Sequence, residues 1–308
     1  MEILQELIPS PTPTSAALGY FDGVHRGHQA VIAEAVAAAK AQGLRSTVFT
    51  LQQSPRVLLL GEKPQNIMTT EDKLSVLEAL GVEQVYLIDF AAVRQITAED
   101  FVEKILRDRF HARHLSCGFN YHFGAGAAGS GEMLEDMCRT YGISVFARPR
   151  ITFEEMPISS TRIRKSILQG QIEEVNAMLG RPYGFFLPVI HGEQVGRTWG
   201  TPTLNQAFPE GLVQPLFGVY ASRVTIDGSL WCGVTNIGVR PTVGSRSVLI
   251  ETWMPDYHGP DLYGQTLRVD LLRFIRPERR FDTTDALRRE ILRNASQAQQ
   301  IFRELPLP

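Results

Sequence analysis

The chain predicts two folds in series: an α/β domain with a parallel sheet, then an antiparallel β-barrel capped by a single C-terminal helix. Three observations lead there. Short β-branched runs alternate with amphipathic helical stretches through residues 1–183. From Gly184 onward the alternation stops, and strand-like runs follow one another with Gly, Pro and Asn between them. A length of 308 residues is also more than one core of ordinary size holds. The predicted domains are 1–183 and 184–308, meeting at Arg181-Pro182-Tyr183.

In the first domain, Ala16-Ala17-Leu18 is an apolar strand that hands over to an alanine-rich helix across 29–42, with Ile32 and Val36 on one face and Gly43 as its stop. The run 46–51 is β-branched and fits a buried strand. A helix is predicted over 70–80, with Thr70 as its N-cap and Gly81 ending it. Residues 84–88 form the next strand, 97–110 a helix opened by Thr97, and 114–117 and 143–146 short strands. A further helix follows Ser159 and runs to about Gly170. Strands joined by helices pair in parallel through right-handed crossovers, and such sheets bind ligands beyond the carboxyl ends of their strands. In the second domain, strands are expected at 185–190, 218–226, 229–235, 247–253 and 266–274, with an amphipathic helix over 284–302.

Composition narrows the partners. With 44% hydrophobic and 21% charged residues the chain is of soluble globular type. A net charge of −2 offers no global attraction to nucleic acid or an anionic membrane, so phosphate binding must be local. No apolar run approaches membrane-spanning length, and the acidic start (Met1-Glu2-Ile3) has no secretory pattern. Cys117, Cys138 and Cys232 are scattered without metal-like spacing and fit a reducing cytoplasm. Small molecules are therefore the expected partners, in a cytoplasmic setting; self-association is left open.

The most informative stretch is Gly19-Tyr20-Phe21-Asp22-Gly23-Val24-His25-Arg26-Gly27-His28. It places two histidines three residues apart behind a glycine-rich turn, where strand passes to helix. A helix N-terminus presents unpaired N–H groups and partial positive charge, so it holds phosphate, and imidazoles there donate to the same phosphate. The competing reading is one core and one surface histidine. Two other segments should converge on this end of the sheet. Asn120 opens a small-residue loop that allows close backbone approach to a ligand. Ser159, Ser160, Thr161, Arg162 and Arg164 bring hydroxyls and arginines to the start of a helix, a phosphate-holding pattern that is also an ordinary Ser/Thr cap with solvated arginines.

His-x-Gly-His at a strand-to-helix turn resembles the nucleotidyltransferase superfamily, and Phe21 to Gln29 is similar to bacterial FAD synthetases. Ser-Ser-Thr-x-Ile-Arg and Met178-Leu179-Gly180-Arg181-Pro182-Tyr183 extend the resemblance. It implies a Rossmann-like domain in which His25 and His28 stabilise the ATP α-phosphate. It also implies that Gly19, Phe21, Asp22, Gly23 and Asn120 line the nucleotide, and that Ser159, Thr161 and Arg164 hold phosphates. Three positions depart from the family pattern: Gln53-Ser54-Pro55 stands for Pro-His-Pro, the acidic residue of the glycine-rich loop is replaced by Ser130 or displaced to Glu132, and His122 stands for an arginine.

In the second domain, Gly192 to Asn205 carries glycines for close backbone approach and a Thr203/Asn205 pair two residues apart. On an extended segment both face the same way and can meet one hard cation such as Mg²⁺. A glycine-rich hairpin with a Pro-Thr turn competes with this reading. Gly-x-Pro-Thr-x-Asn, Gly218-Val219-Tyr220, Asn236-Ile237-Gly238-Val239-Arg240-Pro241-Thr242, Asp261-Leu262-Tyr263-Gly264 and Arg276-Pro277-Glu278 are together similar to riboflavin kinases. The resemblance implies Gly196, Arg197, Gly200, Pro202, Asn236 and Arg240 at the ATP and flavin site, Mg²⁺ on Thr203 and Asn205, and Glu251 as catalytic base. The expected whole is a bifunctional flavin-cofactor enzyme using ATP, riboflavin and FMN as substrates. Two rivals are a kinase whose first module only binds nucleotide, and a non-catalytic flavin carrier.

Overall fold

The structure, a computed structural model, describes residues 1–61, 65–191, 203–242 and 245–304. By contacts the chain divides into two compact units, Met1–Ser160 and Thr161–Pro308.

The first unit is an α/β domain. Its strands are β1 (Glu2–Leu4), β2 (Thr14–Leu18), β3 (Arg45–Leu51), β4 (Gln84–Ile88), β5 (Ala112–Gly118) and β6 (Ser144–Arg148). They form one six-stranded sheet in the order β1-β4-β3-β2-β5-β6, with every pairing parallel. Helix α1 (Arg26–Gln42) connects β2 to β3, and α2 (Thr70–Ala79) precedes β4. The helix begins three residues earlier than the alanine-rich run suggests, because His25 caps it. The N-cap of α2 is Thr69, whose hydroxyl accepts from Asp72 N–H at 3.0 Å, rather than Thr70. Thr97 opens the next helix as expected, but Phe101–Arg107 winds wide, with Asp108 N–H reaching Glu103 O and Phe110 N–H reaching Ile105 O. That winding brings Phe101, Val102, Ile105, Leu106 and Phe110 into one core beneath the sheet.

The direction of the strand order reverses at β2. Chain leaving β2 returns on one side as β3, while β5 lies on the other. The carboxyl ends of β2 and β5 therefore border the crevice where α/β sheets take ligands.

The second unit is an antiparallel sheet of six strands, β7 (Tyr183–Pro188), β8 (Thr203–Ala207), β9 (Gly218–Ile226), β10 (Ser229–Thr242), β11 (Ser245–Trp253) and β12 (Thr266–Pro277), in the order β7-β12-β9-β10-β11-β8. Its ends meet where Ile190 N–H donates to Asn205 O at 2.8 Å and Gln206 Nε2 donates to Leu187 O at 2.7 Å. One face encloses Val189, Leu204, Val224, Leu267 and Val269. The other packs Val219, Ala221, Cys232 and Val234 against Ala295, Ala298 and Ile301 of α5 (Thr284–Glu304); α3 (Ser160–Leu168) and α4 (Ile172–Leu179) precede β7.

The contact division falls after Ser160, the first residue of α3, whereas the sequence reading puts the domain boundary at Tyr183/Gly184. Asn176 on α4 explains it. Its Nδ2 donates to Leu271 O at 3.0 Å and its Oδ1 accepts from Tyr183 N–H at 2.7 Å, so α4 is stitched to the sheet.

Candidate active sites

At the end of β2 the chain makes a turn that local sequence dictates. Phe21 and Val24 hold positive φ (55° and 38°), an uncommon state for side chains of this kind, and Gly23 sits at 81°. A Cβ on Gly19 would lie 2.9 Å from the Phe21 ring, and one on Gly23 2.9 Å from Ile67 Cδ1, so both glycines are needed for the turn to close. Asp22, 4% exposed, accepts from Ile67 N–H at 2.9 Å. Its carbonyl accepts from Ser160 Oγ at 2.9 Å, which brings the Ser159-Ser160 hydroxyl segment onto the turn.

His25 is the N-cap of α1: its Nδ1 accepts from His28 N–H at 3.3 Å. A neutral imidazole that accepts at Nδ1 carries its proton on Nε2, so the cap fixes the tautomer with a donor at the far nitrogen. The two rings stack at 3.6 Å and 17°, and His28 meets the Phe21 ring edge-on at 5.3 Å. Two stacked imidazoles at a helix N-terminus, over the crevice end of the sheet, are an anion-stabilising arrangement. Leu18 pairs with Cys117, so Gly19 and Gly118 leave adjacent strands side by side, and exposed Asn120 follows in the loop after β5. Of the arginines on α3, Arg162 pairs with Glu174 at 2.6 Å. Thr161 and Arg164 belong to the second unit.

The departures from the family pattern have structural roles. Ser130 caps the helix Gly131–Arg139 through Met133 N–H, and His122 Nδ1 lies 3.2 Å from Gly129 O within a short hairpin. Ser54 is the N-cap of Pro55–Leu60 without a side-chain bond.

In the second unit, register builds the other site. Glu251 on β11 pairs with Asn205 on β8 and, across its other edge, with Asn236 on β10. Directly paired residues share a face, so the carboxylate stands between two amides. Thr203 pairs with Trp253 and lies on that same face, where α5 covers Val234 and Trp253 next door. Asn205 is 4% exposed and its Oδ1 has no hydrogen-bond partner among the described residues. An orphaned buried oxygen beside a threonine and a carboxylate suits a hard cation. Glu278 reaches the row from β12's end, 3.5 Å from Asn236 Nδ2, and a Cβ on Gly238 would fall inside its carboxylate. Gly196, Arg197, Gly200 and Pro202 lie outside the described residues, as does the side chain of Arg240.

A protein-family model described as FAD synthetase matches residues 7–162, and one described as riboflavin kinase matches 179–302. The bifunctional riboflavin kinase/FMN adenylyltransferase of Pseudomonas fluorescens is 34% identical, over 94% of this chain and 93% of its own. The chain belongs to the bifunctional riboflavin kinase/FMN adenylyltransferase family. The family's Listeria monocytogenes and Bacillus subtilis members are 34% and 32% identical over 94% of this chain. A crystal structure of a Streptococcus pneumoniae protein, named a macrolide-efflux protein, superposes with a TM-score of 0.87 at 30% identity and covers 99% of both chains. Among the described residues no helix is long and apolar enough to cross a membrane.

The family's motifs, read in sequence, did not include one residue beneath the first site: Lys73, buried on α2 and directed at the turn. Its signal was there, a lysine four residues before buried Leu77 on a face where helical spacing calls for an apolar side chain.

Proposed function

We propose that this protein makes FAD from riboflavin in two ATP-dependent steps, phosphorylation in the second unit and adenylyl transfer in the first. The observation that carries the proposal is the coexistence, in one chain of this family, of a histidine-capped helix at a switch-point crevice and a carboxylate flanked by two amides on the barrel.

In the kinase step, Glu251 accepts the proton of a ribityl hydroxyl as it attacks the ATP γ-phosphate. Thr203 and Asn205 would hold Mg²⁺, which neutralises charge on the nucleotide phosphates when bound. Asn236, Arg240 and the segment carrying Gly196, Arg197, Gly200 and Pro202 complete the substrate site. In the transfer step, His25 and His28 donate to the α-phosphate as FMN attacks and pyrophosphate leaves. The turn residues Gly19, Phe21, Asp22 and Gly23 and the residues Asn120, Ser159, Thr161 and Arg164 position the nucleotide. Both steps are displacements at phosphorus, so positioned donors supply the catalysis and no side-chain nucleophile is required. Small molecules are the partners on this reading, and a cytoplasmic setting supplies them.

Chromatography of riboflavin incubated with protein and MgATP tests both steps: FMN should appear first and FAD after it. A second reading, a kinase with a nucleotide-binding but non-catalytic first unit, is favoured by Ser54 in the place of a histidine. Supplying FMN with MgATP separates the two, because that reading produces no FAD.

A further inference from the structure

Beneath the histidine turn lies a charge to which neither reaction assigns a use. Lys73 on α2 is 5% exposed. An ammonium is seldom taken out of water unless acceptors replace its hydration. Here Nζ donates to Leu51 O at 3.2 Å, and to Tyr20 O and Thr50 Oγ1 at 3.4 Å each, with the Tyr20 ring centre 5.0 Å away. Thr50 Oγ1 donates to the same Tyr20 carbonyl at 2.8 Å. Tyr20 immediately precedes Phe21, where φ turns positive, and Leu51 is the last residue of β3. One ammonium thus ties the end of β3 to the peptide at which the chain departs from β2 and begins the phosphate turn.

We infer that Lys73 is a positioning residue for adenylyl transfer, its buried ammonium holding the Tyr20-Phe21-Asp22 turn in shape and placing positive charge beneath it. The inference rests on the adenylyltransferase reading of that turn.

Its charge depends on pH. Burial lowers the Lys73 pKa to about 8, and Asp22 on the turn opposes the fall. The other groups facing it are the Tyr20 phenol, which donates to Asn66 Oδ1, and Thr50 and Leu51 of β3, which do not titrate. On its own helix, neighbouring Asp72 is turned to Thr69. With the folded value below that of a free lysine, the charged form holds at neutral pH and is lost as pH rises through about 8. FAD synthesis should decline there, while FMN synthesis in the other unit does not share that decline.

The test follows kcat/KM for ATP in FMN adenylylation from about pH 6.5 to about pH 9.5. Wild type, Lys73→Arg and Lys73→Met are compared, with riboflavin phosphorylation in the same samples as reference. The expected result is a falling limb near pH 8 in wild type and its displacement upward in Lys73→Arg. Lys73→Met should lose roughly tenfold at neutral pH, with no limb. A side chain that only fills space predicts that Met resembles wild type and that Arg leaves the limb in place, which would overturn the inference. Should a variant fail to fold, NMR of wild type labelled on its five lysines decides. One lysine resonance should titrate near pH 8 and move on addition of ATP; titration of every lysine above about pH 9.5 overturns the idea. Wild type that makes FMN but no FAD sinks the adenylyltransferase reading and this inference with it. Wild type that makes FAD with a flat profile sinks this inference alone.

Discussion

His25 has two roles that substitution can pull apart. Its Nδ1 caps α1 by accepting from His28 N–H at 3.3 Å, which puts the proton of the neutral ring on Nε2, the donor proposed for phosphate. Asparagine is among the best N-cap residues, so His25→Asn keeps an acceptor for that N–H while removing the distal donor. His25→Ala removes both. Losing the cap costs about 1 kcal/mol, which for a unit of this size lowers Tm by about 2–4 °C. Losing one preorganised donor to the developing charge costs about 3 kcal/mol, or roughly a hundredfold in rate. Both variants should therefore make FAD about a hundredfold more slowly than wild type, while only the alanine variant shows the cap's loss in thermal melting. FMN synthesis, measured in the same tubes, should be unchanged in both. If His25→Asn made FAD at nearly the wild-type rate, the imidazole would not be the phosphate donor. If Asn and Ala were equally destabilised, the Nδ1 cap would be the error.

Glu251→Gln should fold normally and bind flavin, yet lose FMN formation by about two orders of magnitude, read as kcat by chromatography, because an amide cannot take the hydroxyl proton. Asn205→Ala should raise the Mg²⁺ and ATP concentrations needed for half-maximal kinase rate and leave FMN adenylylation untouched; loss of both activities would indicate unfolding instead. Asp270, 2% exposed and paired with Arg223 at 2.9 Å and Arg268 at 2.7 Å, should cost about 3–5 kcal/mol when replaced by Ala, because two partly buried guanidinium groups lose their counter-ion; a urea melt of the second unit reads this out. A fragment over 161–308 should fold and make FMN, whereas one over 184–308 should be far less stable, since it lacks Asn176 and the buried Ile167, Ile172, Val175 and Met178; equal urea midpoints for the two would refute the placement of α3 and α4.

Much of the architecture was legible in the amino-acid order. The bounds of β9, Gly218–Ile226, follow from the sequence, because Gly218 and the Asp227-Gly228 turn punctuate a β-branched stretch on both sides. Helix starts were less so. The alanine pattern of α1 says nothing of its first turn, since His25 caps through an imidazole rather than the usual hydroxyl or carboxamide. Strand β10 continues to Thr242, well past residue 235, because its partner β11 runs alongside and fills its hydrogen bonds, information absent from either segment alone.

Local order by itself determined the two-fold organisation, the histidine pair on one helix start and the Thr203/Asn205 pair on one strand face. Each follows from periodicity and capping, interactions reaching only a few residues along the chain. Tertiary structure decided the rest. It gave Arg162 of α3 a carboxylate partner 12 residues away. It aligned Asn236 and Asn205 on either side of Glu251 through register. It carried Lys73 across 53 residues to the carbonyl of Tyr20. Such pairings depend on which distant segments the packed core brings together, and no local pattern encodes that choice; between the strands, a one-residue slip in register would turn Asn205, Asn236 and Glu251 away from one another.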